Sequence, residues 1–389
     1  MEPDFSALDA SLGEADGFLI YAAGDDSDQR YLSGFDAPDP FLTLYTPDRV
    51  SLLVSALEYG RARSTARADE VVRQSTYDFR ALANEHGPRE GRARAIAAFL
   101  ADRDVERVVA PERFPLGLAD RLRERGVAIS VAARDALGEI RAVKRESEIE
   151  HVREAQRANE AALAAAEDLL RASEAVDGAL RLDGEPLTSE RVKEEIEVTL
   201  LRHGCGLDET IVACGRAAAD PHDRGSGPLA PDEPIIVDVF PRDKASGYHA
   251  DMTRTFVVGD PDETVREWFD LTDRARRAAL DAVEPGATGA EVHAAACDVY
   301  EAAGLPTLRS DPQTETGFIH STGHGVGLDV HEAPSVSPDG EELKPGNVIT
   351  IEPGLYDPAV GGVRIEDLVV VTEDGYENLT DYPIDLVVD

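Results

Sequence analysis

Three of the chain's nine histidines, His320, His324 and His331, fall in one short stretch, HSTGHGVGLDVHE. Gly323, Gly325 and Gly327 stand between them, and glycine lets a backbone turn tightly or approach another group closely. Every ring nitrogen of a buried imidazole needs a partner, so three imidazoles together call for carboxylates, a metal or a substrate. Carboxylates lie on both sides of the stretch. Upstream, two β-rich runs, Ile235 to Phe240 and Tyr248 to Val258, are joined by a polar turn ending in Ser246 and Gly247. Each carries one acid, Asp238 and Asp251, where strand composition disfavours acids. Downstream, strand-like Val348 to Ile351 ends in Glu352, and Gly362 to Val371 carries Glu366. Alternation along that second strand puts Arg364, Glu366 and Leu368 on one face. Four carboxylates pushed together repel and take up protons unless something cationic neutralises them. A pair of divalent metals does so, and oxygen donors with one imidazole suit manganese, cobalt, iron or zinc better than a thiolate site would.

The order Asp238, Asp251, His324, Glu352, Glu366, set in DVF, GYHADMTRT, HSTGHGVGLDVHE, TIEPG and VRIED, resembles the dinuclear metallopeptidases of the pita-bread fold. These form the M24 family of methionine aminopeptidase, aminopeptidase P and prolidase. The resemblance implies that Asp238 binds one metal, that His324 and Glu352 bind the other, and that Asp251 and Glu366 bridge the two. It also implies that His320 and His331 line the site without binding metal. His222, in AADPHDRGSG, matches a histidine that faces substrate, and Arg364 matches an arginine that supports the ligands from behind. Three departures accompany the match: Asp251 follows Asp238 by thirteen residues rather than the usual eleven, Ser321 replaces a glycine, and the stretch from His222 to Asp238 is not identical to the family's.

The activity implied is that of a metal-dependent exopeptidase hydrolysing the bond between an N-terminal residue and proline, as an Xaa-Pro dipeptidase or an Xaa-Pro aminopeptidase. Two metal ions per subunit, manganese or cobalt foremost and zinc or iron next, would share a bridging hydroxide that attacks the carbonyl carbon. His331 would stabilise the oxyanion and Glu352 would carry the proton. The substrate is a short peptide with proline second, and the resemblance implies a homodimer. The requirement for proline comes from the resemblance of the N-terminal part and the His222 segment to proline-specific members. A metal-free creatinase-like hydrolase and a non-catalytic peptide-binding or scaffold protein share the fold, but both lose ligands, and five intact positions argue against them.

At 389 residues the chain is long enough for two domains. The expected division is an N-terminal creatinase-like α/β domain over 1–139 and a C-terminal α+β pita-bread catalytic domain over 140–389. Seventy-seven acids against 39 bases give a formal charge of -38, and four of the bases are lysine. No basic patch exists for nucleic acid. Acid-rich, lysine-poor composition fits concentrated salt, where the Debye length falls to about 3 Å at 1 M, so a halophilic, archaeal origin is expected. Cys205, Cys214 and Cys297 lack metal spacing and read as reduced and structural. The acidic start MEPDFSALDASLGEADG has no signal-peptide character, and no apolar run reaches the roughly 18 residues of a membrane span. The expectation is a cytoplasmic protein with no membrane partner.

From Gly17 to about Asp135, the runs FLIYAA, FLTLYT, VSLLVSAL, VERVVAP and VAISVAA alternate with helical stretches such as Gly91 to Arg103, which predicts a sheet covered by helices. RYLSGFDAPDP resembles the YLTGF stretch of prolidases and creatinases. Ile149 to Leu170 keeps helical spacing. Further helices are expected over Ser189 to His203, Thr264 to Val283 and Thr288 to Ala303, the last with Thr288 and Glu291 as a capping box. Two helix pairs flanking two hairpins predict one antiparallel sheet covered on one side, and the two halves look like a diverged duplication. His86, His151, His203 and His293 are assigned to surface or capping roles, and Trp268 to the core. His249 shares a strand face with Asp251, and whether it reaches the metals is left open by the sequence.

Overall fold

Apolar strands interleaved with helices bury their faces by laying the helices on a sheet, and the first third of the chain does so. The computed structural model describes residues 3–47 and 49–388, so the first two residues of the acidic start lie outside it. Two compact units emerge, Met1–Arg141 and Ala142–Asp389. In the first, Gly17–Ala22, Phe41–Thr46 and Arg49–Val54 form an antiparallel meander. Glu70–Arg73, Arg107–Ala110 and Ala128–Val131 join it in parallel, making a mixed six-stranded sheet. Leu19, Leu42 and Val108 of the sheet meet Phe99, Leu100 and Leu122 of the covering helices in one core. The covering helix runs Pro88–Ala101 and starts earlier than its apolar pattern predicts, because proline fits the first turn, where its missing N–H has no partner to lose. Within RYLSGF, the helix Ser27–Ser33 stops at Gly34, which adopts a left-handed φ of 61°.

The second unit contains two helix pairs, each closing its own core. Glu146–Arg171 and Ser189–Arg202 pack on the strands Thr210–Cys214, Ile235–Val239 and Met252–Phe256, around Leu163, Ile196, Leu200, Val237 and Phe256. Glu263–Asp281 and Gly289–Ala302 enclose Trp268, Leu280, Tyr300, Phe318, Ile349 and Val369. Thr288 and Glu291 form the capping box read from the sequence. Instead of one antiparallel sheet there are three that matter to the site. The first has three strands, in the order Thr210–Cys214, Ile235–Val239, Met252–Phe256. The second has five, in the order Glu332–Val336, Gly323–Gly325, Val348–Ile351, Asp367–Thr372, Gly375–Asn378. Gly354–Asp357 pairs with Gly361–Arg364 in a hairpin of its own.

Two expected strands are shorter than the sequence predicts. The segment before Asp251 is not strand: Gly247 has φ 86°, its N–H reaches back to the Asp243 carbonyl (2.8 Å), and the Asp243 N–H donates to Tyr248 (2.9 Å). The run Gly362 to Val371 breaks at Ile365 and Glu366, because the Glu366 N–H donates to Thr253 on another strand (3.1 Å). His293 is also corrected. It is 4% exposed, with Nδ1 against Thr322 Oγ1 (2.9 Å) and Nε2 near Cys297 Sγ (3.4 Å). Trp268 is buried as expected, and the three cysteines are free. Among the described residues no helix is long and apolar enough to cross a membrane.

The two halves are tied at the Met252–Phe256 strand, whose alternation sends Thr253 and Thr255 to one face and Arg254 to the other. All five guanidinium N–H groups of Arg254 find acceptors: Pro383 O, Tyr382 O, Thr253 O, Glu366 O (2.6 Å) and Asp367 Oδ1 (2.9 Å). Asp367, 2% exposed, takes a second guanidinium from Arg276 (2.5 Å). Removing one partner of such a buried network leaves uncompensated charge and costs about 3–5 kcal/mol. Asp367→Ala is therefore expected to lower unfolding stability by that amount, measured by denaturant titration of the full chain at constant salt.

Candidate metal centre

Asp238 lies in the middle strand of the three-stranded sheet, paired with Ile211 on one side and Thr253 on the other. Asp251 arrives from an irregular arm held at His249, whose N–H donates to the Gly327 carbonyl (2.8 Å). His324 sits between Gly323 and Gly325 in a strand pressed against its neighbours. A Cβ on Gly323 would lie 2.0 Å from the Thr350 carbonyl oxygen, so only glycine permits that approach. Glu352 follows the Val348–Ile351 strand and fixes its N–H on Thr322 O (2.8 Å). Glu366 occupies the strand break, where Thr253 Oγ1 donates to its carboxylate (2.7 Å). Contacts across sheets thus aim five side chains from five separate segments.

Ligand atoms of Asp251, His324 and Glu366 all lie within 4.8 Å of one another. His324 Nε2 is 3.4 Å from Glu352 Oε1 and 3.7 Å from Asp251 Oδ2. The His324 Nδ1–H donates to the Gly325 carbonyl (3.1 Å), which leaves the Nε2 lone pair toward the acids. Burial, reinforced by the neighbouring carboxylates, pushes the Asp251 and Glu366 carboxyls well above the usual range and Glu352 to about 7. Among the described residues, Arg364 is the one guanidinium paired with these acids, at 2.6 Å from Asp238 Oδ2. The other Asp238 oxygen, Oδ1, is buried without a hydrogen-bond partner. An acid-rich set with one imidazole, an unpartnered buried oxygen and too little positive charge fits divalent cations.

Around these acids opens a cavity of about 730 Å³. All nine residues singled out from the sequence line it: His222, Asp238, Asp251, His320, His324, His331, Glu352, Arg364 and Glu366. They play unequal parts. His331 is exposed at the mouth, edge-on to His324 at 4.2 Å between centroids, and His222 is exposed too. His320 is engaged at both nitrogens, donating from Nδ1 to Ser321 O (2.7 Å) and accepting at Nε2 from the Tyr356 hydroxyl (3.0 Å). Burial lowers its pKa to about 3, so it stays neutral. His249, whose role the sequence leaves open, lines a neighbouring groove with Arg242 and Lys244 and is not among the residues lining this cavity.

Sequence reasoning missed Tyr356, Thr253, Thr350 and Lys144. The fully buried Tyr356 hydroxyl accepts from Arg364 Nη1 (2.9 Å) while donating to His320, completing a chain from histidine to Asp238. Thr350 Oγ1 accepts from the His324 N–H (3.0 Å) and donates to Glu352 (3.3 Å). Buried Lys144 reaches Glu332 at 2.5 Å and so steadies the residue next to His331. Thr350 was detectable as a polar residue two before Glu352, on the same strand face; Tyr356 carries no such signal.

The raised carboxyl pKa values have a defined consequence for the metal-free protein. Glu352 holds its proton in the folded state up to about 7, whereas an unfolded glutamate loses it near about 4.3. Between those values the folded state binds more protons, so its stability falls as pH rises. Thermal denaturation of metal-free protein in molar salt is expected to show a falling Tm across that window. Glu352→Gln, which cannot ionise, is expected to flatten the fall; an unchanged slope would mean that burial does not hold the proton.

Comparison with known proteins finds relatives along both parts of the chain. The metallopeptidase family M24 matches residues 150–373, and the creatinase/prolidase N-terminal domain matches residues 10–153. The probable dipeptidase PepE of Mycobacterium tuberculosis is 37% identical over 280 residues, 72% of this chain and 68% of that protein. The Xaa-Pro dipeptidase of Pyrococcus furiosus is 34% identical over 251 residues, 63% of this chain and 65% of that protein. Among solved structures, the prolidase from Pyrococcus horikoshii OT3 superposes with a TM-score of 0.78 at 26% identity, covering 98% of both chains. The pita-bread catalytic unit preceded by a creatinase-type α/β domain is therefore the architecture, as expected. With one family spanning more than half of its length and a relative 37% identical over about two thirds of both proteins, the chain belongs to metallopeptidase family M24.

Proposed function

We propose that this chain is a metal-dependent Xaa-Pro exopeptidase that removes an N-terminal residue from proline in short peptides. One observation carries the reading: Asp238, Asp251, His324, Glu352 and Glu366 converge on the floor of a single cavity. The similarity to an Xaa-Pro dipeptidase and to a prolidase supports it. Asp238, Asp251 and Glu366 would hold one divalent cation, and His324 and Glu352 a second, with Asp251 and Glu366 common to both. Manganese or cobalt is proposed because the donors are mostly oxygen. When bound, such cations supply Lewis acidity and bring the pKa of water toward neutrality.

The chain's own residues would do the rest. The floor carboxylates receive the substrate's amino terminus, which restricts cleavage to the first peptide bond. Ile211, Pro221, Phe240, Ile319 and Val330 give the wall apolar surface for a pyrrolidine ring. His331, at the mouth, donates to the carbonyl oxygen as negative charge develops on it. Glu352 takes the proton of the attacking water and returns it to the proline nitrogen as the C–N bond breaks. Arg364, fixed by Tyr356 and Asp238, keeps the acid oriented and makes no contact with substrate.

The proposal includes a non-catalytic N-terminal domain over 1–139, a homodimer and a cytoplasmic location. Three free cysteines suit a reducing compartment, and the charge of -38 suits high salt. In molar salt with manganese, an Xaa-Pro peptide is expected to be hydrolysed, and a chelated control to be inactive. Asp251→Ala and Glu366→Ala are each expected to fall to the chelated level; activity retained in either would remove that residue from the metal set. His331→Ala is expected to lower kcat by about 10²–10³-fold with metal content unchanged by elemental analysis.

A further inference from the structure

We propose that a pocket in the first unit, built around Arg89, Arg92 and Arg121, binds a small anion through its phosphate group, independently of the peptidase reaction. The pocket measures about 220 Å³, and Tyr21 and Gly117 line it beside the three arginines. No acid is among its lining residues. In a chain of 77 acids and 39 bases, three guanidinium groups facing one space without a carboxylate run against the composition. Among the described residues none of the three forms an ion pair. The acids next to them in sequence turn elsewhere: Glu90 pairs with Arg94 (2.7 Å) and Arg125, and Asp120 with Arg123 (2.9 Å). Asp39, whose charge acts on Tyr21, is exposed and does not line the pocket.

Two local preferences are broken to place these cations. Arg89 lies in the first turn of the helix Pro88–Ala101, at the positive end of the helix dipole, where acids are favoured. Arg92 stands three residues on, so like charges are neighbours on one helix face. Such breaches are expected where a site needs them. The backbone beneath is fixed: Ala93 and Ile96 of that helix share one core with Leu118 and Leu122 of the helix Leu116–Arg123, and Tyr21 packs against it. Arg92 lies over the Tyr21 ring, 5.3 Å from its centroid, a cation–π contact that holds the guanidinium in place. Arg121 donates one N–H to the Gly117 carbonyl and has four more to offer. A phosphate group has charge and oxygens enough to accept two-point contacts from several such forks. In molar salt, where the Debye length is about 3 Å, only direct contacts of this kind hold an anion. The space is below the roughly 300–1,000 Å³ of a drug-sized ligand's pocket and suits phosphate itself or a small phosphate ester.

The test is calorimetric titration of metal-loaded protein with inorganic phosphate, in molar potassium chloride without free metal. A metal centre can also take phosphate, so the variants identify the arginine site. One binding event per chain is expected to weaken about tenfold or more in Arg89→Gln and, separately, in Arg121→Gln. Arg80 is exposed and outside the pocket; Arg80→Gln loses the same charge and is expected to bind phosphate as wild type does. Acetate, a flat monoanion, is expected not to compete. The Tm of each variant without phosphate is expected not to fall below that of wild type, which separates loss of the site from loss of the fold. Phosphate binding that is absent from wild type, equal in wild type and both pocket variants, or weakened as much by Arg80→Gln would overturn the assignment. Acetate that competes as well as phosphate would overturn the phosphate class.

Discussion

Mutual repulsion among Asp238, Asp251, Glu352 and Glu366 is the constraint on which the rest of this structure depends. The fold brings the four acids to one cavity floor and sets the Arg364 guanidinium against them. Burial makes charge costly there, so the Asp251, Glu352 and Glu366 carboxyls retain protons well above their usual range. Left alone, such a cluster opposes folding at neutral pH. The site therefore makes sense as a place built to be filled with positive charge.

Everything around the cluster serves to hold it together against that repulsion. Thr253 binds the Glu366 carboxylate by its hydroxyl and the Glu366 N–H by its carbonyl. One residue on, Arg254 faces away from the cavity and clamps the Glu366 carbonyl together with Asp367. A single dipeptide step in one strand thus fixes an acid on another from front and back. On the far side, His320, Tyr356 and Arg364 form a chain of hydrogen bonds ending on Asp238. Thr350 does the same for His324 and Glu352. Neutral donors and one arginine orient the acids without cancelling their charge.

The floor of the site was legible because its residue types are rare in strands and stand in a fixed order. An acid inside IIVDV, or an EP pair after VITI, has no packing reason to exist. The helices were legible from spacing and capping, as Thr288 with Glu291 illustrates. What the sequence could not convey is register between sheets. VRIEDLVVV reads as one strand, but hydrogen bonds from Thr253 and Arg254 interrupt it at Glu366. Tyr356 reads as an ordinary strand tyrosine until folding sets its hydroxyl between His320 and Arg364. His249 follows the alternation of a strand that does not form there, so it turns to another groove. His293 did have a signal: it precedes Cys297 by four residues and Tyr300 by seven, on the buried stripe of its helix.

Calorimetric titration of the metal-free protein with manganese at neutral pH, in buffers of different ionisation enthalpy, tests the central claim most directly. Two cations are expected to bind per chain, and binding is expected to release protons, because the incoming charge displaces those that Asp251, Glu352 and Glu366 retain. Binding without proton release would show that the acids are already ionised and that repulsion is relieved in some other way. No binding at all would contradict the account.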